Sequence, residues 1–231
     1  EAGHTVFQVT RRGSGDNTVA RGHARSMSEL LDDMRTACEF ALADADTKQL
    51  HLLGVSWGGK LAAAFAAGAY ASDSVASLTL VSPGIKIRVD VSFTTKLLVA
   101  ASLLTWARRR FAIPLNDVEL FTDNDEMRDY LREDPYRLHH ATAKLLFVSR
   151  SLDRELSRAS SDSLGSPTTL ILASRDRIIN NAATEKLVKY LASKELQTVE
   201  LDGAHTLEFE SDPTPLYRAV VEAVARGETN V

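Results

Sequence analysis

The pentapeptide Gly54-Val55-Ser56-Trp57-Gly58 joins a short apolar run, Gln49 to Val55, to an Ala-rich stretch of high helix propensity, Lys60 to Ala67. A serine between two glycines at a strand-to-helix turn is lifted above the end of the strand, and the glycines let neighbouring backbone pass closely. The helix beyond it turns its unpartnered N–H groups and the positive end of its dipole toward any negative charge that develops there. A serine hydroxyl is a weak nucleophile at its ordinary pKa, so this reading requires a base and an acid to orient that base. Both are available downstream. Asp176 lies in Ser174-Arg175-Asp176-Arg177, after an apolar run at Thr168 to Ala173, and His205 lies in Asp202-Gly203-Ala204-His205-Thr206, after a run at Gln197 to Leu201. Loops at strand ends are where a rigid scaffold displays reactive groups. Taken singly, the three have plainer readings: a tight turn with an inert serine, a solvated carboxylate paired with Arg175 or Arg177, and a surface histidine. Their occurrence at successive strand ends favours acyl transfer through a covalent serine intermediate. Asp202 and Glu208 compete for the acid's role, but Asp202 is too close to His205 in sequence to be offered easily from another strand end.

The elements that would hold these residues follow from periodicity and turn chemistry. His4 to Thr10 is β-branched and aromatic and stops in the turn formers Arg11 to Asn17, which predicts a strand and a loop. Leu30, Leu31, Met34, Cys38, Phe40 and Leu42 after Ser28 predict an amphipathic helix ending near Asp44. Val75 to Val81 reads as a strand halted by Ser82-Pro83-Gly84, and helices are predicted at Ala182 to Ser193 and Pro215 to Arg226. Short apolar strands alternating with helices imply an α/β architecture, a mostly parallel sheet covered on both faces. The segment from Ile85 to Leu164 breaks the alternation. It carries helical patterns at Phe93 to Arg110, Asn124 to Glu133 and His139 to Ser157 without a convincing strand. It reads as a helical cap over residues 85–164, and residues 1–84 and 165–231 form the core.

Composition bounds the alternatives. The chain has 231 residues, 44% hydrophobic and 25% charged, with a net charge of -4 and one cysteine. A chain of this size buries enough apolar surface to fold without disulfides or a structural metal, and Cys38 has no partner for an internal bridge. With no signal-peptide pattern, a cytoplasmic setting is expected. The mixed, mildly acidic charge argues against a nucleic-acid partner. The longest apolar stretch, Leu97 to Ala107, is about half of the ~20 residues needed to span a bilayer. Flanked by Lys96 and Arg108-Arg109-Arg110, it reads as a helix packed on its own domain or as one that makes weak contact with an anionic membrane surface.

Arg12-Gly13-Ser14-Gly15, Leu53 to Gly59, Leu80 to Gly84, Leu172 to Asp176 and Gly203-Ala204-His205 together resemble the α/β-hydrolase superfamily, in its monoacylglycerol lipase, lysophospholipase and serine aminopeptidase-like branch. Asp125 to Ser149 looks like the lid of that branch, and the chain order Ser, Asp, His is the superfamily's own. The resemblance implies an α/β-hydrolase fold with a helical cap inserted after the family's sixth strand. It makes Ser56 the nucleophile, His205 the general base, Asp176 its orienting acid and the Trp57 N–H an oxyanion donor. It implies a small-molecule ester or acyl substrate, such as a monoacylglycerol or lysophospholipid, and no metal or organic cofactor. Thr10 stands where the family has Asp, an exchange expected to loosen the hydrogen bonding of that loop. The family's first three strands, and the His-Gly loop that supplies a second oxyanion donor, have no counterpart after Glu1, so residues preceding Glu1 are expected in the natural protein.

The same machinery serves thioesters and proline-type peptides, and a non-catalytic binding protein on this scaffold is the reading from another class. The adjoining His139 and His140 diverge by about 100° on a helix and make a poor metal pair. Cys38 is expected to pack as a small core residue. Asp123, Asp125 and Glu126 lack calcium-loop spacing and read as a solvated helix start.

Overall fold

The alternating apolar runs settle into four parallel strands in a computed structural model that describes residues 3–68, 74–192 and 195–229. The strands are β1 (Leu50–Val55), β2 (Val75–Val81), β5 (Thr168–Ala173) and β6 (Leu196–Leu201), in the order β1-β2-β5-β6. Between β2 and β5 lie β3 (Arg110–Ala112) and β4 (His140–Thr142), which pair with each other. The helices are α1 (Met27–Asp44), α2 (Trp57–Ala67), α3 (Phe93–Thr105), α4 (Asp125–Glu133), α5 (Ala143–Arg158), α6 (Asn181–Leu191) and α7 (Thr214–Thr229). The predicted end of α6 at Ser193 lies outside the described residues.

β2 and β5 are buried along their whole length, and the two-residue side-chain period divides them between two cores. Leu78, Leu80, Leu170 and Leu172 pack on one face with Phe65 of α2, Leu152 and Leu156 of α5, and Leu191 of α6. Val81, Ile171 and Ala173 pack on the other with Leu216 and Ala219 of α7. Helices therefore cover both faces, as a parallel sheet requires. The registers Val55↔Val81, Val81↔Ile171 and Ile171↔Val199 bring the carboxyl ends of the four strands to one edge. The loops after β1, β5 and β6 open there.

Side-chain caps define the helix starts. Ser26 accepts from the Glu29 N–H at 3.0 Å, two residues before the Ser28 start that the apolar spacing suggests. Thr142 caps α5 and Asn180 caps α6 in the same manner.

Three elements differ from expectation. His4 to Thr10 is not a strand: it pairs with no strand among the described residues, although His4 lies edge-on to His51 of β1, and Val6 is 82% exposed. β propensity reflects packing on a paired, pleated surface, and a lone run has no ladder to join. The helix expected over Phe93 to Arg110 stops at Thr105, and the one expected from His139 starts at Ala143. The intervening residues form the β3–β4 ladder, with Arg110↔Thr142 and Ala112↔His140. Strands of three residues are too short to show a two-residue period.

Candidate active site

β1 passes into α2 through Ser56, whose backbone sits at φ 50°, ψ −119°. A left-handed conformation in a residue with a Cβ costs about 1–3 kcal/mol and persists only where its surroundings enforce it. Here they do. The Ser56 carbonyl accepts from the Gly59 N–H at 3.0 Å and the Gly84 N–H at 2.7 Å, and its N–H donates to the Val81 carbonyl at 2.9 Å. A Cβ on Gly54 would fall 2.7 Å from the Gly59 Cα, and one on Gly59 would fall 2.8 Å from the Pro83 Cβ. A Cβ on Gly58 would meet nothing, so the close approach depends on Gly54 and Gly59, not on the second glycine of the pentapeptide.

His205 is buried, with Nδ1 2.8 Å from Asp176 Oδ2 and Nε2 2.8 Å from Ser56 Oγ. Because a carboxylate only accepts, the imidazole proton belongs on Nδ1, leaving Nε2 to accept from the serine hydroxyl. Asp176 is itself fixed: Oδ1 accepts from the Ile178 and Ile179 N–H groups, each at 2.8 Å. A serine donating to a histidine whose far nitrogen is held by a buried carboxylate can give up its proton as Oγ attacks a carbonyl carbon. The Trp57 N–H opens α2, where the helix leaves N–H groups without intrahelical partners. The Trp57 indole N–H donates to Ser149 Oγ of α5 at 3.0 Å.

The rival acids point elsewhere. Asp202 is exposed and paired with Arg175, whose hydrogen bond holds its carboxyl below the usual range. Glu208 is largely buried, and Oε2 lacks a hydrogen-bond partner. Burial pushes its pKa up, against smaller opposing effects of its own N–H and of His205. Arg175 and Arg177 pair with Asp123, not with Asp176. Asp123 is therefore an ion-pair partner across the site, while Asp125 and Glu126 occupy the first turn of α4. His139 and His140 do not share a helix, since His140 lies in β4 and His139 Nδ1 meets Asn116 Oδ1 at 3.1 Å. Cys38 is only half-buried, at the margin of the core, and burial raises its thiol pKa.

Other contacts at the site have no sequence signature. Phe121, from the segment between β2 and β5, stands edge-on to the His205 ring with centroids 6.0 Å apart. Glu210 accepts the Ala204 N–H at 2.7 Å. The acid loop is clamped from the inserted side, where the Arg88 N–H donates to the Ile178 carbonyl and the Asn180 N–H to the Lys86 carbonyl, each at 2.7 Å.

Parallel sheet, flanking helices, the strained elbow at Ser56 and the loops gathered at the strand ends make this an α/β-hydrolase. Residues 1–212 match the family described as serine aminopeptidase, S33, and the chain belongs to that family. It is 26% identical over 210 residues to the monoacylglycerol lipase of Mycolicibacterium smegmatis, covering 88% of this chain and 71% of that protein. The monoacylglycerol lipase of Paleococcus ferrophilus superposes with a TM-score of 0.78 at 20% identity, over 93% of this chain and 80% of its own. A soluble variant of the Saccharomyces cerevisiae monoglyceride lipase, in complex with a substrate analogue, does so at 0.81 and 15% identity, over 94% and 75%. At these identities the two structures speak for the fold.

Proposed function

We propose that the protein is a serine hydrolase of carboxylic esters, acting on lipid-like monoesters such as a monoacylglycerol or lysophospholipid. The observation that carries this reading is the unbroken hydrogen-bonded line from Ser56 through His205 to Asp176. The relative named as a monoacylglycerol lipase supports the substrate class. Ser56 Oγ adds to the ester carbonyl while His205 Nε2 takes its proton. The carbonyl oxygen becomes an oxyanion facing the Trp57 N–H and the N-terminus of α2. His205 then protonates the departing alcohol, leaving an acyl-serine. Water, deprotonated by His205, adds to the acyl carbon and releases the acid. Asp176 holds the imidazole in the required tautomer throughout.

Residues 85–164 act in this reading as a cap that selects the substrate over a core made of residues 1–84 and 165–231. The exposed apolar side chains of α3 support a weak contact between that cap and a membrane surface. Peptide hydrolysis on the same triad is the second reading, favoured by the description of the matching family.

A fluorophosphonate probe should label Ser56 and leave Ser56→Ala unlabelled; an unlabelled wild-type protein would sink the enzyme reading. A series of p-nitrophenyl esters should show turnover rising with acyl length beyond acetate. A preference no longer than acetate removes the lipid assignment, and cleavage of an N-terminal proline amide in its place establishes the peptidase.

A further inference from the structure

Two adjacent arginines in the loop after Thr10 are treated in opposite ways. Arg12 directs Nε and Nη2 at the two oxygens of Asp33, each at 2.5 Å, and Nη1 at Glu29 at 2.9 Å. The two carboxylates that α1 offers this loop are thereby engaged by one guanidinium. Arg11 is left with a single long hydrogen bond, Nη1 to its neighbour's carbonyl at 3.3 Å, and with no carboxylate partner among the described residues. Instead its Cζ lies 4.3 Å from the centroid of the Trp57 ring. Burial lowers its pKa to about 10, and no acidic neighbour opposes the shift.

A guanidinium withdrawn from water without a counter-charge is costly, and stacking on an indole compensates only part of that cost. The contact with the ring and the bond from Nη1 to the Arg12 carbonyl hold the group in place, and Nε and Nη2 are its remaining donors. Trp57 follows Ser56 directly, and its N–H begins a helix whose N-terminus adds positive potential. The Arg11 cation thus rests on the side chain of the residue that directly follows the reactive serine and begins α2.

We infer that Arg11 is a specificity residue for an anionic group carried by the substrate, a phosphate or a carboxylate a few bonds from the ester that Ser56 attacks. The inference rests on the ester-hydrolase reading and narrows it from neutral glycerides toward charged ones. Phosphate and carboxylate both match the guanidinium fork, since each presents two oxygens to two parallel N–H groups.

The test compares three esters with one acyl chain: 1-lauroylglycerol, 1-lauroylglycerol 3-phosphate and the lauroyl ester of glyceric acid. In the wild-type protein kcat/KM should be higher for at least one charged ester than for the neutral one, and the favoured ester tells phosphate from carboxylate. In Arg11→Gln the charged-to-neutral ratio should fall about tenfold or more, mainly through KM, while Arg11→Lys retains part of it. An Arg11→Gln protein that loses activity on all three esters alike, or a wild-type protein without preference for charge, overturns the inference. A binding measurement on Ser56→Ala separates this from failure of the hydrolase reading. Dodecyl phosphate or dodecanoate should bind more tightly than dodecanol, and the margin should vanish in Ser56→Ala/Arg11→Gln. If no ester is turned over but that margin is present and lost with Arg11, the hydrolase reading fails and the anion site stands; equal affinities remove the anion site.

Discussion

At the scale of single residues, Asp176 is the most constrained group in the site. Both its oxygens are occupied, one by two backbone N–H groups and the other by the imidazole. Asparagine at this position keeps one oxygen for the Ile178 and Ile179 N–H groups but turns an amide N–H toward His205 Nδ1, selecting the wrong tautomer. Under the proposed mechanism Asp176→Asn should lower kcat by about 10⁴ with the fold retained, by analogy with the same exchange in other triads. Steady-state kinetics beside a thermal melt checks this, and a loss under tenfold would mean that Asp176 does not orient the base. Ser56, His205 and Asp176 were legible because each residue type stands just beyond a strand whose apolar run is visible. Phe121 and Glu210 were not, since their contacts depend on how a loop docks in three dimensions, and docking leaves no period in sequence.

Among the elements, the elbow and the helix that follows it are packed closely enough to make glycine identity testable. Gly58→Ala adds a Cβ into open space within a helix and should leave stability unchanged or raise it by about 0.5 kcal/mol. Gly59→Ala drives a Cβ against Pro83 and should cost about 2 kcal/mol or more, together with fluorophosphonate labelling. Urea midpoints of the two variants decide the matter, and equal midpoints would refute the packing argument. Deeper in α2, Lys60 is 2% exposed and meets Asp153 of α5 at 2.6 Å, tying the Ser56 helix to the inserted segment. Burial lowers the pKa of Lys60 from 10.5, with Asp153 only partly opposing it. The unfolded chain then binds more protons, so this group's contribution to stability rises with pH as pH climbs toward 10.5. The rise in urea midpoint from pH 7 to 9.5 should be smaller in Lys60→Met. Asp153→Ala leaves the cation unpaired and should cost about 3 kcal/mol, whereas Lys60→Met/Asp153→Leu should lie within about 1 kcal/mol of the wild-type protein. An equal loss in both would show that packing, and not charge, joins the helices. Element types were readable wherever a run was long and regular, as in β2, β5 and α5. His4 to Thr10 misled because its residues suit a strand while the run joins no ladder among the described residues, and β3 and β4 escaped because each is only three residues long.

For the whole molecule, the distribution of apolar surface is the informative property. The sheet is covered on both faces, yet α3 buries only Ser102 and presents Phe93, Leu97, Leu98 and Leu104 outward, with Leu104 90% exposed. Trp106, also exposed, follows immediately, and then come three exposed arginines, Arg108 to Arg110. None of the described helices is long and apolar enough to cross a membrane. An apolar ridge closed by a tryptophan and a basic cluster suits a helix lying in the interface of an anionic bilayer, where each arginine contributes about 1 kcal/mol of attraction. Apart from α3, the inserted segment is joined to the loop of Asp176 by Asp123, whose pairing with Arg177 and Arg175 holds its carboxyl below the usual range. Those pairs are partly exposed and individually weak. The protein should therefore co-sediment with vesicles containing phosphatidylglycerol more than with pure phosphatidylcholine, and salt should weaken the difference. Leu104→Asp should reduce binding to both compositions, and Arg108→Gln/Arg110→Gln should remove mainly the preference for the anionic one. Neither substitution touches Ser56, His205 or Asp176, so turnover of a water-soluble p-nitrophenyl ester should be unchanged in both. If the wild-type protein ignores both kinds of vesicle and instead forms a dimer that Leu104→Asp dissolves, the exposed face of α3 belongs to a second copy of the chain and the membrane contact is wrong.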